Sequence, residues 1–470
     1  MTIQEIVALG FDEQKKLLAV RPTFDVEQGD AADQYDVDEH KVFSTSERPD
    51  KTVQRPTGTL NDDGTEQTTT ANEPVTRIGL AYQELIVDRA VGFMLGNPVE
   101  LKNKYYTESE SGVKLSNMVQ KVWDDNKLDM LLPEVAERLF SEMEVALIFY
   151  FTEEDGYWGD MSKSKFKIKA LVCSTALGDS LYPHFDEAGD MDALSRGYTV
   201  TVDSKKVERF DIYTAENVYK WSKATGEWAL ADTIQAPEKI TAVYMQRKRP
   251  EWHKVQSMIE RLETSVSNHG DTNDYNGSPI LFVEGDVKGA PAKGSRGKVL
   301  SGSQGAKASY ISWDSAPESI KLENETLLNA IMDITQTPAI SFNSLIGKGL
   351  PTSGVALKLL FADAHMKTFK NWRTFGVGVQ RMINVIKAMI SRVVEPSLVK
   401  EESNLTITPV CTPYLPANEQ EICTILDNAL ASSGMSKRTY AENHPYISDA
   451  DQEMERMAEE SDNQLNQTGE

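Results

Sequence analysis

The chain has 470 residues, 40% hydrophobic and 26% charged, with 49 Lys and Arg against 72 Asp and Glu for a formal net charge of −23. That length allows two to four domains or one elongated subunit, with ample apolar material for a core. The charge excludes a tight, non-specific nucleic-acid binder, because such a surface repels phosphate over a Debye length; it leaves a protein that never meets DNA, or one that DNA must slide past without sticking.

No stretch approaches the ~20 continuous apolar residues of a membrane helix. The most apolar run, Val377 to Val394, is interrupted by Gln380, Arg381, Asn384, Lys387 and Arg392. Glu5, Asp12 and Glu13 stand where a signal peptide needs a basic start and an apolar middle, so manufacture and use in the cytoplasm, or exit by another route, is expected. Cys173, Cys411 and Cys423 lack metal-ligand spacing and read as structural thiols of a reducing compartment.

In chain order, residues 1–20 read as one short amphipathic helix built on Ile3, Ile6, Val7, Leu9, Leu17 and Leu18. Residues 22–74, rich in Asp, Glu, Thr, Gln and Gly, read as a weakly ordered polar arm. A helix from Ile78 to Leu95 follows, ended by Gly96-Asn97-Pro98, then helices over 115–128 and 130–140 and a strand over 145–151. Short alternating runs at 167–173, 198–202, 207–214, 218–222 and 241–244, with a hairpin turn at Ala224 to Glu227, predict antiparallel sheet.

Val255, Met258, Ile259, Leu262 and Val266 recur at three- and four-residue steps and predict a helix over 252–267. Strands at 280–284 and 309–313 flank glycine- and lysine-rich sequence, and a helix over 318–335 is stopped by Pro338. The loop Phe342 to Pro351 precedes a long helix, about 355–394, capped by Thr352 or Ser353. Val355, Leu359, Met366, Phe369, Trp372, Val379, Ile383, Ile386, Ile390 and Val393 form its apolar face. At 1.5 Å per residue it would span roughly 60 Å, crossing several layers or kinking near Gly376-Val377-Gly378. A strand over 405–410 and two acidic helices, about 419–432 and 448–461, complete an α+β, mainly α, chain.

Enzymatic constellations are missing. Gly297-Lys298 and Gly347-Lys348 lack both the Ser/Thr and the upstream glycine of a phosphate loop. The six histidines stand singly, without zinc spacing. Asp271 to Gly277 resembles a calcium loop, yet Tyr275 occupies a donor position and no glutamate closes it. Asp186, Glu187, Asp190 and Asp192 read as a solvated turn before they read as paired catalytic carboxylates. No catalytic residue, metal site or cofactor is predicted.

Two features stand out. Residues 287–308 carry Lys288, Lys293, Arg296, Lys298 and Lys307 with no acidic residue, either as an exposed hairpin or as a patch for phosphates or an acidic partner. The flanking amphipathic helices favour a module projecting from the tip of a helical pair. The Phe342–Pro351 loop is either a connector or a mobile element facing a channel.

The order of these parts resembles the portal proteins of tailed bacteriophages, the SPP1-like portal family. The resemblance rests on the run Arg77 to Val99, on Ser353-Gly354-Val355-Ala356-Leu357-Lys358, and on Pro413 to Glu421, in order and spacing across most of the chain. The polar insertion before Pro74 departs from the family pattern and leaves residues 1–74 unassigned as an N-terminal helix and arm. The resemblance implies a portal fold with wing, stem, clip and crown regions, assembled into a ring, usually a dodecamer, at one capsid vertex of the virion.

On that footing, residues 75–250 and 355–416 are the wing, 251–270 and 318–337 the stem helices beside the channel, and 271–317 the clip. Residues 338–354 are the tunnel loop, with Asn343, Ser344, Leu345, Ile346, Gly347, Lys348, Gly349 and Leu350 touching DNA, and 417–470 are the crown and acidic tail. The implied partners are further copies of the chain, the terminase large subunit, head-completion or adaptor proteins, major capsid and scaffolding proteins, and double-stranded DNA. A membrane is not among them, and assembly takes place in the host cytoplasm. The stripe Val255, Met258, Ile259, Leu262 and Val266 is expected to pack stem helices side by side. An adaptor or tail component, or a hydrolase using the 186–192 carboxylates, are the competing readings.

Overall fold

The computed structural model describes residues 2–60, 66–107, 109–276, 280–284, 287–289, 301–302, 307–311, 317–338, 361–414, 419–447 and 449–467. The N-terminal segment is two helices, α1 (Ile3–Val7) and α2 (Phe11–Leu18), not the single helix expected. The chain turns at Gly10, where the Gln14 side-chain amide donates to the carbonyls of Val7 and Leu9, both at 2.8 Å.

The polar arm, expected to be weakly ordered, carries regular elements over its described residues. It forms α3 (Gln28–Tyr35), a 3-10 turn at Val37–Glu39 and a hairpin of β1 (Lys51–Leu60) with β2 (Glu66–Glu73). Composition misled here because the arm is held by charge rather than by apolar area. Arg21 reaches the buried Glu144, Asp25 pairs with Arg249, and Arg48 with Asp271.

The main core surrounds α4 (Tyr82–Leu95), followed by β3 (Glu100–Tyr105), α5 (Glu110–Asp125), α6 (Leu128–Glu142) and β4 (Glu144–Glu153). Ser109 caps α5 through the Gly112 amide. Leu115, Met118, Val119, Val122 and Trp123 of α5 and Leu132, Val135, Leu139 and Phe140 of α6 are buried against one another and against α4.

β5 (Phe166–Cys173) pairs with β4, followed by β6 (Ser180–Phe185), β7 (Met191–Val202), β8 (Lys205–Thr214), β9 (Asn217–Ser222), β10 (Ala229–Gln235) and β11 (Ala242–Gln246). Two antiparallel sheets result, ordered β10-β9-β8-β7-β6 and β11-β4-β5. They pack through Leu181, Leu194, Tyr213 and Val218 on one side and Ala146, Ile148, Cys173 and Tyr244 on the other. α1 and α2 cover the opposite face of the larger sheet, where Phe11 lies 4.6 Å from each of the Trp221 and Trp228 rings. The expected hairpin turn joins β9 and β10. β6 escapes the alternation test because Pro183 interrupts it, and a proline is tolerated there because β6 is an edge strand. β10 escapes it because every residue is exposed.

α7 (Gln256–Asn276) is longer than expected and absorbs the calcium-like stretch, whose Asp271 binds Arg48 and Lys51 instead of lining a loop. Beyond it come β12 (Ile280–Glu284), β13 (Val287–Gly289), β14 (Ser301–Gly302) and β15 (Lys307–Ile311), with β12 paired to β15 and β13 to β14. α8 (Pro317–Thr335) returns toward the core.

The long helix α9 (Ala362–Met389) ends in a π turn, Ile390–Val394. Its expected start near residue 355 lies outside the described residues; of the two alternatives, crossing several layers or kinking near Gly376 to Gly378, the helix runs unbroken through both glycines. Those glycines serve close packing: a methyl group at 378 would overlap the Met245 thioether, and one at 376 would meet the Trp372 ring at 2.7 Å. Met366 and Phe369, placed on the apolar face from sequence, are exposed; Lys367, Thr368, Asn371 and Phe375 take the inner positions.

α10 (Glu401–Asn404) precedes β16 (Leu405–Val410), which pairs with β3. Three C-terminal helices replace the expected two: α11 (Glu419–Ala431), α12 (Lys437–Asn443), capped by Ser436, and α13 (Ala450–Gln467).

Candidate functional site: the helix pair and its anchorage

α7 and α8 run antiparallel. Arg261 Nη2 lies 2.6 Å from Glu323 Oε1, and Ser265 Oγ donates to Asn324 Oδ1 at 2.7 Å. Val255, Ile259, Leu262 and Ile331 are buried in the main core, with Met258, Val266 and Leu327 partly buried against it. The stripe expected to pack stem helices side by side lies within its own chain, against the main core. The outer arc of α8 exposes Glu318, Lys321, Leu322, Glu325 and Asp333, three acids against one base.

A strap of extended backbone is laid along α7. The amides of Thr76, Ile78 and Leu80 donate to Asp271 Oδ1 (2.6 Å), Ser267 Oγ (3.0 Å) and Glu263 Oε1 (2.8 Å). The match is geometric. Four residues of helix rise about 6 Å, close to the roughly 6.6 Å of two extended residues, so helix positions spaced by four meet every second strap amide. These bonds explain why the helix expected from Ile78 begins only at Tyr82: its first amides are engaged by α7. Gly270 admits the contact, since a methyl there would meet Thr76 Cγ2 at 2.8 Å.

The polar arm locks the strap. Glu263 Oε1 also lies 2.6 Å from His40 Nδ1, while His40 Nε2 lies 2.9 Å from the Gln34 carbonyl, and both side chains are 3% exposed. Burial opposes charge on the imidazole, but the Glu263 carboxylate and then the Gln34 carbonyl overcome it and raise its pKa. Arg48 spans strap and helix, donating to Thr76 O (2.9 Å), Asn268 Oδ1 (2.8 Å) and Asp271 Oδ2 (2.8 Å). Lone histidines and a polar arm gave no sign of this; the legible signal was the spacing of Glu263, Ser267 and Asp271 beside the apolar stripe.

At the other end, α8 is tied to α9. Lys367 Nζ, buried, donates to the Thr335 carbonyl at 2.7 Å and lies 3.0 Å from Glu251 Oε1. Burial pushes the Glu251 carboxyl up, but Lys367 and Arg247 outweigh it and hold the group ionised. Arg89 of α4 donates to the Pro338 carbonyl, fixing the chain where residues 339–360 begin.

Of the residues singled out from sequence, Asn343, Ser344, Leu345, Ile346, Gly347, Lys348, Gly349 and Leu350 lie outside the described residues, as do Lys293, Arg296 and Lys298. Lys288 falls in β13 and Lys307, exposed, opens β15. Asp186, Glu187 and Asp190 form a tight turn, in which Asp186 Oδ1 accepts from the amides of Ala188 and Asp190 and Gly189 adopts φ +86. Asp192 turns away to His184, at 2.6 Å. Among the described residues no cluster of His, Cys, Asp and Glu is placed to hold a metal, and no helix is long and apolar enough to cross a membrane. Burial pushes the Cys173 thiol up to about 12 and the Cys411 thiol to about 11, so neither is a thiolate at neutral pH.

No curated protein matches the chain. The family described as phage portal protein, SPP1 Gp6-like, matches residues 31–467, which takes in the ordered arm, the strap, both helices of the pair, α9 and the C-terminal helices. With a match over nearly its whole length, the chain belongs to the SPP1 Gp6-like phage portal protein family.

Proposed function

We propose that the chain is one subunit of a closed ring at the unique capsid vertex, a structural conduit through which double-stranded DNA is packaged and later ejected. The observation that carries this reading is the antiparallel α7/α8 pair, capped by the β12/β15 hairpin and pinned to the body at both ends of its base by Glu263 and Lys367. A conduit needs a rigid rod at its wall and a wall that does not retain phosphates. The acid-dominated outer arc of α8 meets the second need, because like charge keeps the duplex mobile.

In this reading residues 251–270 and 318–337 are the stem, and residues 271–317 form the clip, where Lys288, Lys293, Arg296, Lys298 and Lys307 present an isolated basic surface. That surface docks the terminase large subunit during packaging and head-completion or adaptor proteins afterwards. Residues 338–354 are the tunnel loop, 75–250 with 355–416 the wing, and 417–470 the crown, which meets the packaged DNA. The protein performs no catalysis, assembles in the host cytoplasm with capsid and scaffolding proteins, and remains in the virion.

The test is the assembly of the purified chain. Negative-stain class averages are expected to contain rings, about twelve-fold in the family pattern, with an open centre bordered by the helix pair. Compact monomers would sink the reading. Rings that fail to bind terminase would favour an adaptor or tail component instead.

A further inference from the structure

Among the described residues, α9 carries a surface that nothing else in the fold covers. Its inner face is buried against β11, β16, α4 and α5, while Met366, Lys370, Arg373, Val377 and Arg381 follow one another along the opposite side at three- and four-residue steps, with Phe369 beside them. Met366 is 55% exposed, Phe369 59% and Val377 50%. Asp363 is the acid of this stripe, at its N-terminal edge. None of the three cations makes an ion pair among the described residues, although the chain carries 72 acidic side chains against 49 basic ones. From Met366 to Arg381 the stripe runs about 22 Å.

A stripe of this kind stands out on such an acidic protein, because it gathers three cations that make no ion pair among the described residues and three exposed apolar side chains on one face of one helix. Three large apolar side chains left half in water on one helix cost hydrophobic free energy that only a covering surface recovers. Two occupants fit the charge: a nucleic-acid backbone or an acidic protein face. Phosphates would neutralise Lys370, Arg373 and Arg381 but offer nothing apolar to Met366, Phe369 and Val377. A second copy of this chain offers both, since its net charge of −23 leaves acidic surface in excess and its own exposed faces mix carboxylates with apolar residues, as Leu322 between Glu318 and Glu325 illustrates.

We infer that the outer stripe of α9 is a subunit–subunit contact, covered in the assembled ring by an acidic face of the neighbouring copy. This rests on the ring reading above and deepens it by naming the surface. The apolar residues supply burial at the centre, and the three cations set register and reject wrong partners.

The experiment compares the full-length wild-type chain with K370E/R373E/R381E and, separately, M366S/F369S/V377S, following ring fraction against concentration by mass photometry. All six side chains are exposed or half-exposed, so both variants are expected to fold, with monomer melting temperatures close to wild type. The charge reversal is expected to raise the concentration at half-assembly at least about tenfold, equivalent to ~1.4 kcal/mol per contact, with the apolar variant behaving likewise. A photo-reactive phenylalanine analogue at position 369 is expected to give covalent dimers of the chain in assembled rings, a readout that does not depend on either variant folding.

Wild-type rings with unchanged assembly in both variants, and no dimer from the photo-probe, would overturn the inference and leave the ring reading intact. Loss of affinity for a duplex oligonucleotide without loss of rings would reassign the stripe to DNA and overturn it as well. A wild-type chain that stays monomeric at every concentration would overturn both.

Discussion

His40 is caught between two acceptors, the Glu263 carboxylate and the Gln34 carbonyl, so both ring nitrogens are satisfied only when both carry protons. Its folded pKa is raised. A base of that kind contributes stability that is complete below its ordinary value, about 6.5, and is lost as pH climbs through the raised one. His40→Gln is therefore expected to destabilise the protein by about 1–3 kcal/mol in denaturant unfolding near pH 6, and by clearly less near pH 9. An equal gap at both pH values would mean that folding does not shift the ring's pKa, and a gap that grows with pH would mean that the ring is neutral in the fold. Glu263→Ala should cost more, because it also strands the Leu80 amide and leaves a buried imidazolium without its partner.

At the scale of elements, the strap on α7 is the contact that commits residues 75–81 to extended backbone. Its three bonds join residues more than 180 positions apart and fix how the body sits on the helix pair. Ser267→Ala removes the partner of the Ile78 amide alone, at a cost of about 1–3 kcal/mol for a buried donor left unpaired. Hydrogen exchange is expected to accelerate at Ile78 while Leu80, still held by Glu263, keeps its protection. Uniform acceleration from 76 to 80 would mean that the strap opens as one unit and that the ladder is not made of separable bonds.

For the whole molecule, the proposed division of labour separates assembly from transport. Gly347→Ala with Gly349→Ala is expected to lower DNA packaging several-fold while leaving ring yield unchanged, since alanine narrows the backbone freedom of the proposed tunnel loop, which is not among the proposed subunit contacts. Equal loss of packaging and of rings would make the loop structural. Neutralising Lys293, Arg296 and Lys298 to glutamine is expected to weaken terminase docking and to flatten its salt dependence. Unchanged docking in a pull-down with intact rings would remove the clip assignment.

Local patterning alone placed the antiparallel sheet, the Ala224–Glu227 hairpin turn, the two amphipathic helices of the α7/α8 pair and the strand Leu405–Val410, because periodicity and turn chemistry are short-range properties. The same reading reached the family through three short runs and their order. Tertiary structure decided the rest. It ordered the polar arm through ion pairs to residues more than 200 positions away, turned a seeming calcium loop into helix, and kept α9 continuous through two glycines that make room for Met245 and Trp372. It also exposed Met366 and Phe369 because a buried Lys367 claimed the inner face. Each of these outcomes depends on a partner distant in the chain, and a hydrophobic period read along one segment carries no information about which charge or which backbone will arrive from elsewhere.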